Sequence, residues 1–369
     1  MKILWVFPSF EIGGAQRRFA TLAGGLGADF SHRIVSMDGC YGAGGLIAYD
    51  VDWARTEVAV EKSRFFSSVN IKRFRSLLEN EAPDVLVTHN WGAIEWRLAN
   101  RKLKFPHLHI EDGFSANETP GGAEKRRDLA RQLLFTRIAS GHEKFAFVAP
   151  SEALLKIYQR RWRVDRSRIH LIYNGVDINS FSPQQERSSS KLVIGSVGAL
   201  RREKRFDRLL RIFAAVRSNL AAKLLIVGDG VQRDSLEQLA RELQIAQDVE
   251  FVGAQTKVAP FLSQMDIYAL TSDTEQMPIS LIEAMATALP VVASNVGDVA
   301  SMLSSENSGL VHDLNNEETL ALSLLQLAKD KEKRAAIGGA NRSKARASYS
   351  HERMIEAYRS LFASLTSPA

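Results

Sequence analysis

Two carboxylates, Glu275 and Glu283, stand eight residues apart within residues 272–297, with Pro278 between them and an apolar, alanine-rich run behind. Pro278 suits the first turn of a helix, where its missing N–H leaves no bond unmade. ISLIEAMATAL (279–289) reads as that helix, and LPVVAS (289–294) as a buried strand after it. Glu275 then lies in the loop before the helix, and Glu283 roughly a turn and a half inside it. The free amides of Ile279 and Ser280 would point out of the helix N-terminus, where a phosphate binds well. A loop carboxylate, anion-binding amides and a deeper carboxylate together suit a phosphorylated, hydroxyl-rich ligand.

Further candidates follow predicted strands. Gly13 and Gly14 come after the first strand and open a helix, so backbone can approach a ligand and amides can face a diphosphate. The spacing is not G-x-G-x-x-G, so a dinucleotide fingerprint is absent. GALRREK (198–204) follows the strand LVIGSV and offers Arg201, Arg202 and Lys204 as fixed cations for a diphosphate bound without a metal. Gly228 and Gly253 each end a strand, at the edge where open parallel sheets bind ligands. His109, Glu111 and Asp112 crowd into HLHIEDG, whose Asp-Gly pair is also a common turn. His107 and His109 share a strand face but lack a third ligand, so no metal is expected, and no G-x-S-x-G marks a hydrolase.

TEQMPISLIEAMATALPVVAS resembles the donor-site segment of the retaining GT-B glycosyltransferases of family 4, which carry Glu-x7-Glu followed by an EAMA-like helix. The resemblance extends over nearly the whole chain. It implies that Glu275 holds the hydroxyls of a donor sugar and Glu283 the ribose of a nucleotide. GGAQR is similar to the family loop that faces the donor phosphates, which gives Gly14 that role. Lys204 matches the family's diphosphate lysine, whereas the usual arginine position is Ala199, leaving Arg201 or Arg202 to reach in. The resemblance makes Gly228 and Gly253 walls around the nucleobase and ribose. Where many members carry a histidine before a glycine, this chain has Asp112 before Gly113. An acidic group there, with Glu111 and His109 on the acceptor side, would stabilise positive charge at the anomeric carbon or orient the acceptor hydroxyl. The implied enzyme is a metal-independent, retaining hexosyltransferase. It would use a nucleotide-sugar, UDP-sugar favoured over GDP-sugar, and a glycan or lipid-linked acceptor of cell-surface polysaccharide synthesis. A GT-B nucleotide-sugar epimerase and a non-catalytic nucleotide-sugar or lipid-surface binding protein are the alternatives.

Strand and helix signals alternate along the whole chain, which predicts α/β architecture with doubly wound parallel sheets. The expected layout is an acceptor-binding Rossmann-like domain at 1–182, a polar linker at 183–191 and a donor-binding Rossmann-like domain at 192–348. The amphipathic helix of 349–369 should cross back to the first domain, the two domains facing across a cleft as in the GT-B fold. A chain of 369 residues supports two cores, and 45% hydrophobic with 24% charged residues is ordinary for a globular protein. Cys40 is the only cysteine, so there is no disulfide framework. The opening apolar run is too short for a signal peptide and no run is long enough to span a membrane, which predicts a cytoplasmic protein. The net charge of +6 belongs to residues 1–182, with 26 Lys+Arg against 20 Asp+Glu. Its clusters are Arg64 with Lys72, Arg73 and Arg75, then 97–104, 125–127 and 160–168, with Phe65 and Phe66 beside the first. They suggest peripheral docking to an anionic membrane surface, and no recognised module for nucleic acid accompanies them.

Overall fold

The computed structural model describes residues 1–61, 66–112, 124–136, 142–183, 191–314 and 316–367, with the side chains of 124–128 set aside. Arg64, Phe65, Gly113, the side chains of 125–127 and most of the expected linker at 183–191 lie outside the described residues. The chain forms two compact units, Met1–Asn174 with His351–Ala369, and Gly175–Ser350.

The first unit is built on strands β1 (Lys2–Phe7), β2 (Ser31–Ser36), β3 (Trp53–Arg55), β4 (Val85–His89), β5 (His107–Ile110), β6 (Phe145–Ala149) and β7 (Ile169–Leu171). They form one parallel sheet in the order β3-β2-β1-β4-β5-β6-β7. After Lys2, ILWVF is continuously apolar because both faces of a parallel sheet are covered. Ile3, Trp5 and Phe7 join Phe19 and Leu22 on one side, and Leu4 and Val6 join Phe74, Leu78 and Trp96 on the other. The connecting helices are α1 (Gly14–Leu26), α2 (Ser68–Glu81), α3 (Glu95–Ala99), α4 (Glu124–Thr136) and α5 (Glu152–Lys156). The three-residue β3 carries no apolar run and gave no signal in the sequence.

The second unit holds β8 (Leu192–Val197), β9 (Ala222–Val227), β10 (Val249–Gly253), β11 (Ile267–Leu270), β12 (Val291–Ser294) and β13 (Val311–His312). Their order is β10-β9-β8-β11-β12-β13, again with parallel pairs. Its helices are α6 (Phe206–Arg217), α7 (Arg233–Glu242), α8 (Ala259–Leu262), α9 (Ile279–Ala286), α10 (Val299–Met302), α11 (Glu317–Lys329) and α12 (Lys331–Ser348). The final helix, α13 (His351–Thr366), returns to the first unit. Its Met354, Tyr358, Leu361, Phe362 and Leu365, one face at helical spacing, enter the core beneath β1. Two doubly wound, Rossmann-like units with a returning C-terminal helix are the architecture expected from the sequence.

Strand order reverses between β1 and β4 in one sheet and between β8 and β11 in the other. Loops leaving the carboxyl ends of such neighbours start side by side and lead to opposite faces of the sheet, which leaves a ligand crevice at their base. Lys204 follows β8 and Glu275 follows β11, so the sheet order itself brings these two loops together. Two local expectations need correction. Pro278 precedes the helix instead of occupying its first turn: with φ −68° and ψ 122° it is extended, and its carbonyl accepts from the amides of Leu281 and Ile282. The helix also stops at Ala286, because Ala288 turns left-handed (φ 61°) and Pro290 disfavours helix at Leu289.

Candidate active site

In the second unit, the Lys204 ammonium lies 2.6 Å from Glu275 Oε1 and 2.8 Å from Oε2, and the Ser272 hydroxyl donates to Oε1 at 2.7 Å. The Glu275 side chain is 9% exposed and that of Lys204 28%, so solvent only partly screens the pair. The loop holding Glu275 is shaped by Gly297. A Cβ there would sit 2.2 Å from the Glu275 carbonyl oxygen, and φ of +53° is costly for other residues. α9 starts at Ile279, and its first internal bonds come from Leu281 and Ile282, so the amides of Ile279 and Ser280 have no acceptor within the helix.

Tyr268, on β11, was not singled out in the sequence. Its hydroxyl donates to the Val197 carbonyl at 3.3 Å and bonds the Ser280 side chain, tying the end of β8 to the first turn of α9. Burial drives its phenol well above the ordinary range, with Glu283 and Glu275 adding to the rise. A small pocket is lined by Ser196, Lys204, Tyr268, Ser272, Glu275 and Ser280 among others. Glu283 is buried one helical turn further along α9. Gly228 (φ 147°) closes against the next loop, where a Cβ would lie 1.9 Å from the Gly198 carbonyl oxygen. Its amide donates to the carbonyl of Gly253, so these two glycines meet at the ends of β9 and β10.

Arg201 does not join this group. With Arg202 it lines a separate cavity of about 640 Å³ between the starts of α6 and α7, over Phe206, Leu236 and Leu239.

In the first unit, Gly14 is exposed at the start of α1, behind an extended Gly13. Four residues on, Arg18 turns inward and is 4% exposed. Its guanidinium bonds Asp112 Oδ1 and also donates to Asn174 Oδ1 at 3.2 Å. Asp112 Oδ2 takes a 2.8 Å bond from His89 Nδ1, and the Asp112 amide donates to Asn90 Oδ1 at 2.7 Å. Burial alone would raise the Asp112 pKa, but Arg18 and then His89 outweigh it and hold it at about 2. His89, stacked on Phe7 at 4.1 Å, is shifted down by burial against the pull of Asp112. Asp112 is therefore a fixed negative charge with no proton to donate near neutral pH.

His109 and Glu111 were expected on the acceptor side, but both are exposed by 1% or less. His109 Nδ1 shares the Thr88 hydroxyl with His107, and Glu111 pairs with Arg131, whose guanidinium lies over the Trp91 and Trp162 rings. In this structure they support the end of β5 and do not face solvent. Arg97, counted with a basic surface cluster, is likewise buried, over Phe145. Lys72, Arg73, Arg101, Lys102, Lys104, Arg160 and Arg163 are exposed. Neither Arg18 nor His89 was singled out in the sequence; Arg18 carried a signal, as the one charge among the buried residues of α1, and His89 carried none. No helix among the described residues is long and apolar enough to cross a membrane, and no group of three or more metal-ligating side chains gathers among them.

Residues 12–180 match the family described as Glycosyltransferase Family 4, and residues 177–344 match Glycosyl transferases group 1. The chain is 27% identical over 191 residues to an N-acetyl-alpha-D-glucosaminyl L-malate synthase of Bacillus anthracis, 52% of this chain and 50% of that protein. It is 26% identical over 305 residues to a D-inositol 3-phosphate glycosyltransferase of Corynebacterium urealyticum, 75% of this chain and 72% of that one. The first of these matches thus spans half the length of the relative. The solved structure of Anabaena HepE with UDP and glucose superposes with a TM-score of 0.81 at 19% identity, covering 99% of this chain and 100% of HepE.

Proposed function

The chain belongs to the glycosyltransferases, a Glycosyltransferase Family 4 domain followed by a group 1 domain, and from that premise we propose that it is a retaining hexosyltransferase using a nucleotide-sugar. A UDP-sugar is preferred to a GDP-sugar, in keeping with the UDP complex of the HepE neighbour. The acceptor is a glycan or lipid-linked saccharide of cell-surface polysaccharide synthesis, approached from the cytoplasmic side over the exposed basic residues of the first unit.

The observation that carries this reading is the meeting of Lys204 and Glu275 beside the free N-terminus of α9. Lys204 and the amides of Ile279 and Ser280 take the diphosphate and neutralise charge on the departing oxygen, a task they perform without a metal. Glu275 accepts from the hydroxyls of the sugar and Glu283 from those of the ribose. Gly228 and Gly253 admit the nucleobase close to backbone. Asp112, held ionised by Arg18 and His89, contributes fixed negative charge near the acceptor instead of acting as an acid.

A thermal-shift screen of the purified protein with UDP, GDP, ADP, dTDP and their common sugar conjugates tests the reading. One nucleotide should raise the midpoint, and its sugar conjugate should raise it further. No shift at millimolar ligand would remove the ground for an active transferase. Release of free nucleotide only when acceptor is added separates turnover from mere binding.

A further inference from the structure

Arg205 is an arginine in a left-handed conformation (φ 52°, ψ 45°), at the junction between the turn carrying Lys204 and the first residue of α6. Such a backbone favours glycine, and a long side chain there costs free energy that its contacts must offset. The Arg205 side chain spreads over two carboxylates: Nε donates to Asp207 Oδ1 at 3.0 Å, and Nη1 donates to Asp273 Oδ2 at 2.9 Å. Asp273 also accepts from Arg208 Nη2 at 2.8 Å, while Arg208 Nη1 donates to the Thr271 carbonyl at 2.8 Å. The backbones are stitched as well. The Asp273 amide donates to the Glu203 carbonyl at 2.8 Å, and the Thr271 hydroxyl donates to the Arg205 carbonyl at 3.0 Å.

These bonds join the two loops that converge at the reversal of strand order. One runs from 203 to 205 and bears Lys204; the other runs from 271 to 275 and bears Glu275. We propose that Arg205 and Asp273 are positioning residues, a charged pair that holds the Lys204 loop and the Glu275 loop in register so that the ammonium and carboxylate meet where a donor's diphosphate and sugar bind. The proposal rests on the donor-site reading above. Neither side chain touches the donor in it: Arg205 and Asp273 border the separate cavity that also holds Arg201 and Arg202. Their effect is transmitted through the backbone of residues immediately beside Lys204 and two residues before Glu275.

The test uses the full chain as Asp273→Asn, Arg205→Gly and Arg205→Lys variants. Arg205→Gly is informative because glycine accepts the left-handed backbone, so the guanidinium is removed while the fold is kept. The first readout needs no donor: the acylation rate of the Lys204 amine in the free protein, followed by mass spectrometry against exposed Lys223 in the same chain. With the register loosened, Lys204 should label about threefold faster in Asp273→Asn and Arg205→Gly, the range expected when a half-exposed ion pair is lost. Arg205→Lys should restore most of the protection. The second readout is UDP affinity in a double-mutant cycle: Asp273→Asn should weaken UDP several-fold in the parent and not at all on a Lys204→Ala background. Unchanged Lys204 labelling, or labelling that rises only as the thermal midpoint falls, would overturn the proposal, as would full additivity with Lys204→Ala. If the parent binds no UDP, the donor-site reading is what fails, and labelling still decides the register.

Discussion

Gly297→Ala is the sharpest perturbation of the Glu275 loop that leaves every ionisable group in place. A Cβ at this position would sit 2.2 Å from the Glu275 carbonyl oxygen and 2.9 Å from that of Gln276, so the first must retreat by about 0.8 Å to reach even 3.0 Å. Alanine at φ +53° also costs about 1 kcal/mol. The retreat strains the 3.1 Å bond from the Asp298 amide to the Gln276 carbonyl, which is worth about 1 kcal/mol. The sum is about 2 kcal/mol, and for a unit the size of 175–350 it should lower the midpoint by about 4–8 °C. Displacing the Glu275 carboxylate by nearly an ångström should also weaken UDP-glucose by about tenfold or more, a conservative figure for misplaced binding groups. UDP alone, which lacks the hexose, should lose less. The assays are thermal unfolding and calorimetric titration. Gly309→Ala serves as control, since nothing lies within 4 Å of a Cβ there. Wild-type stability together with wild-type UDP-glucose affinity in Gly297→Ala would refute the placement of this loop.

Neighbouring glycines of α12 should respond with opposite sign. A Cβ at Gly339 meets nothing within 4 Å, so Gly339→Ala should stabilise by about 0.5–1 kcal/mol. At Gly338 it would fall 1.9 Å from the Ala288 carbonyl oxygen, and Gly338→Ala should destabilise by about 1–3 kcal/mol in denaturant titrations. The first unit should lose stability in mild acid through His32. The Trp5 indole N–H donates to His32 Nδ1 at 3.0 Å, which requires the neutral ring, and burial lowers its pKa to about 4. Because the folded pKa lies below the unfolded value of 6.5, this contribution is complete above pH 6.5 and is lost as pH falls towards 4. Wild type should therefore be weaker at pH 5 than at pH 7 by about 2 kcal/mol more than His32→Phe. Parallel pH dependences for the two proteins would contradict this.

The residues that could be read from the sequence are those whose partners lie in the same segment or at the ends of adjacent strands. KILWVF and LVIGSV declare themselves as central strands because both faces of a parallel sheet are buried. Glu275, Glu283 and the start of α9 are legible because a proline, a helical apolar run and two acids fall within one short stretch. Lys204 is legible as a cation after a strand, and sheet order then places it on Glu275. Arg201 shows the limit: two or three residues of a tight turn decide which cavity a side chain enters, and composition says nothing about that. Asp112 shows another. Its partners come from α1 and β4, far away in sequence, and only they show that the carboxylate is held ionised near neutral pH. His109 and Glu111 look like site residues from their types, yet Thr88 and Arg131 hold them inside the core. The short β3 and the left-handed Arg205 are set by tertiary contacts, not by local propensity.

In the proposed nucleotide-sugar site, Lys204 makes the diphosphate contact and Glu275 the sugar contact. Calorimetric titration of the wild type, Lys204→Ala and Glu275→Gln with UDP and with UDP-glucose measures both directly. The wild type should bind both ligands, UDP-glucose the more tightly. Lys204→Ala should weaken both, and Glu275→Gln should keep UDP while losing the increment from the sugar. Equal weakening of UDP and UDP-glucose by Glu275→Gln, or no binding of either ligand to the wild type, would contradict the account.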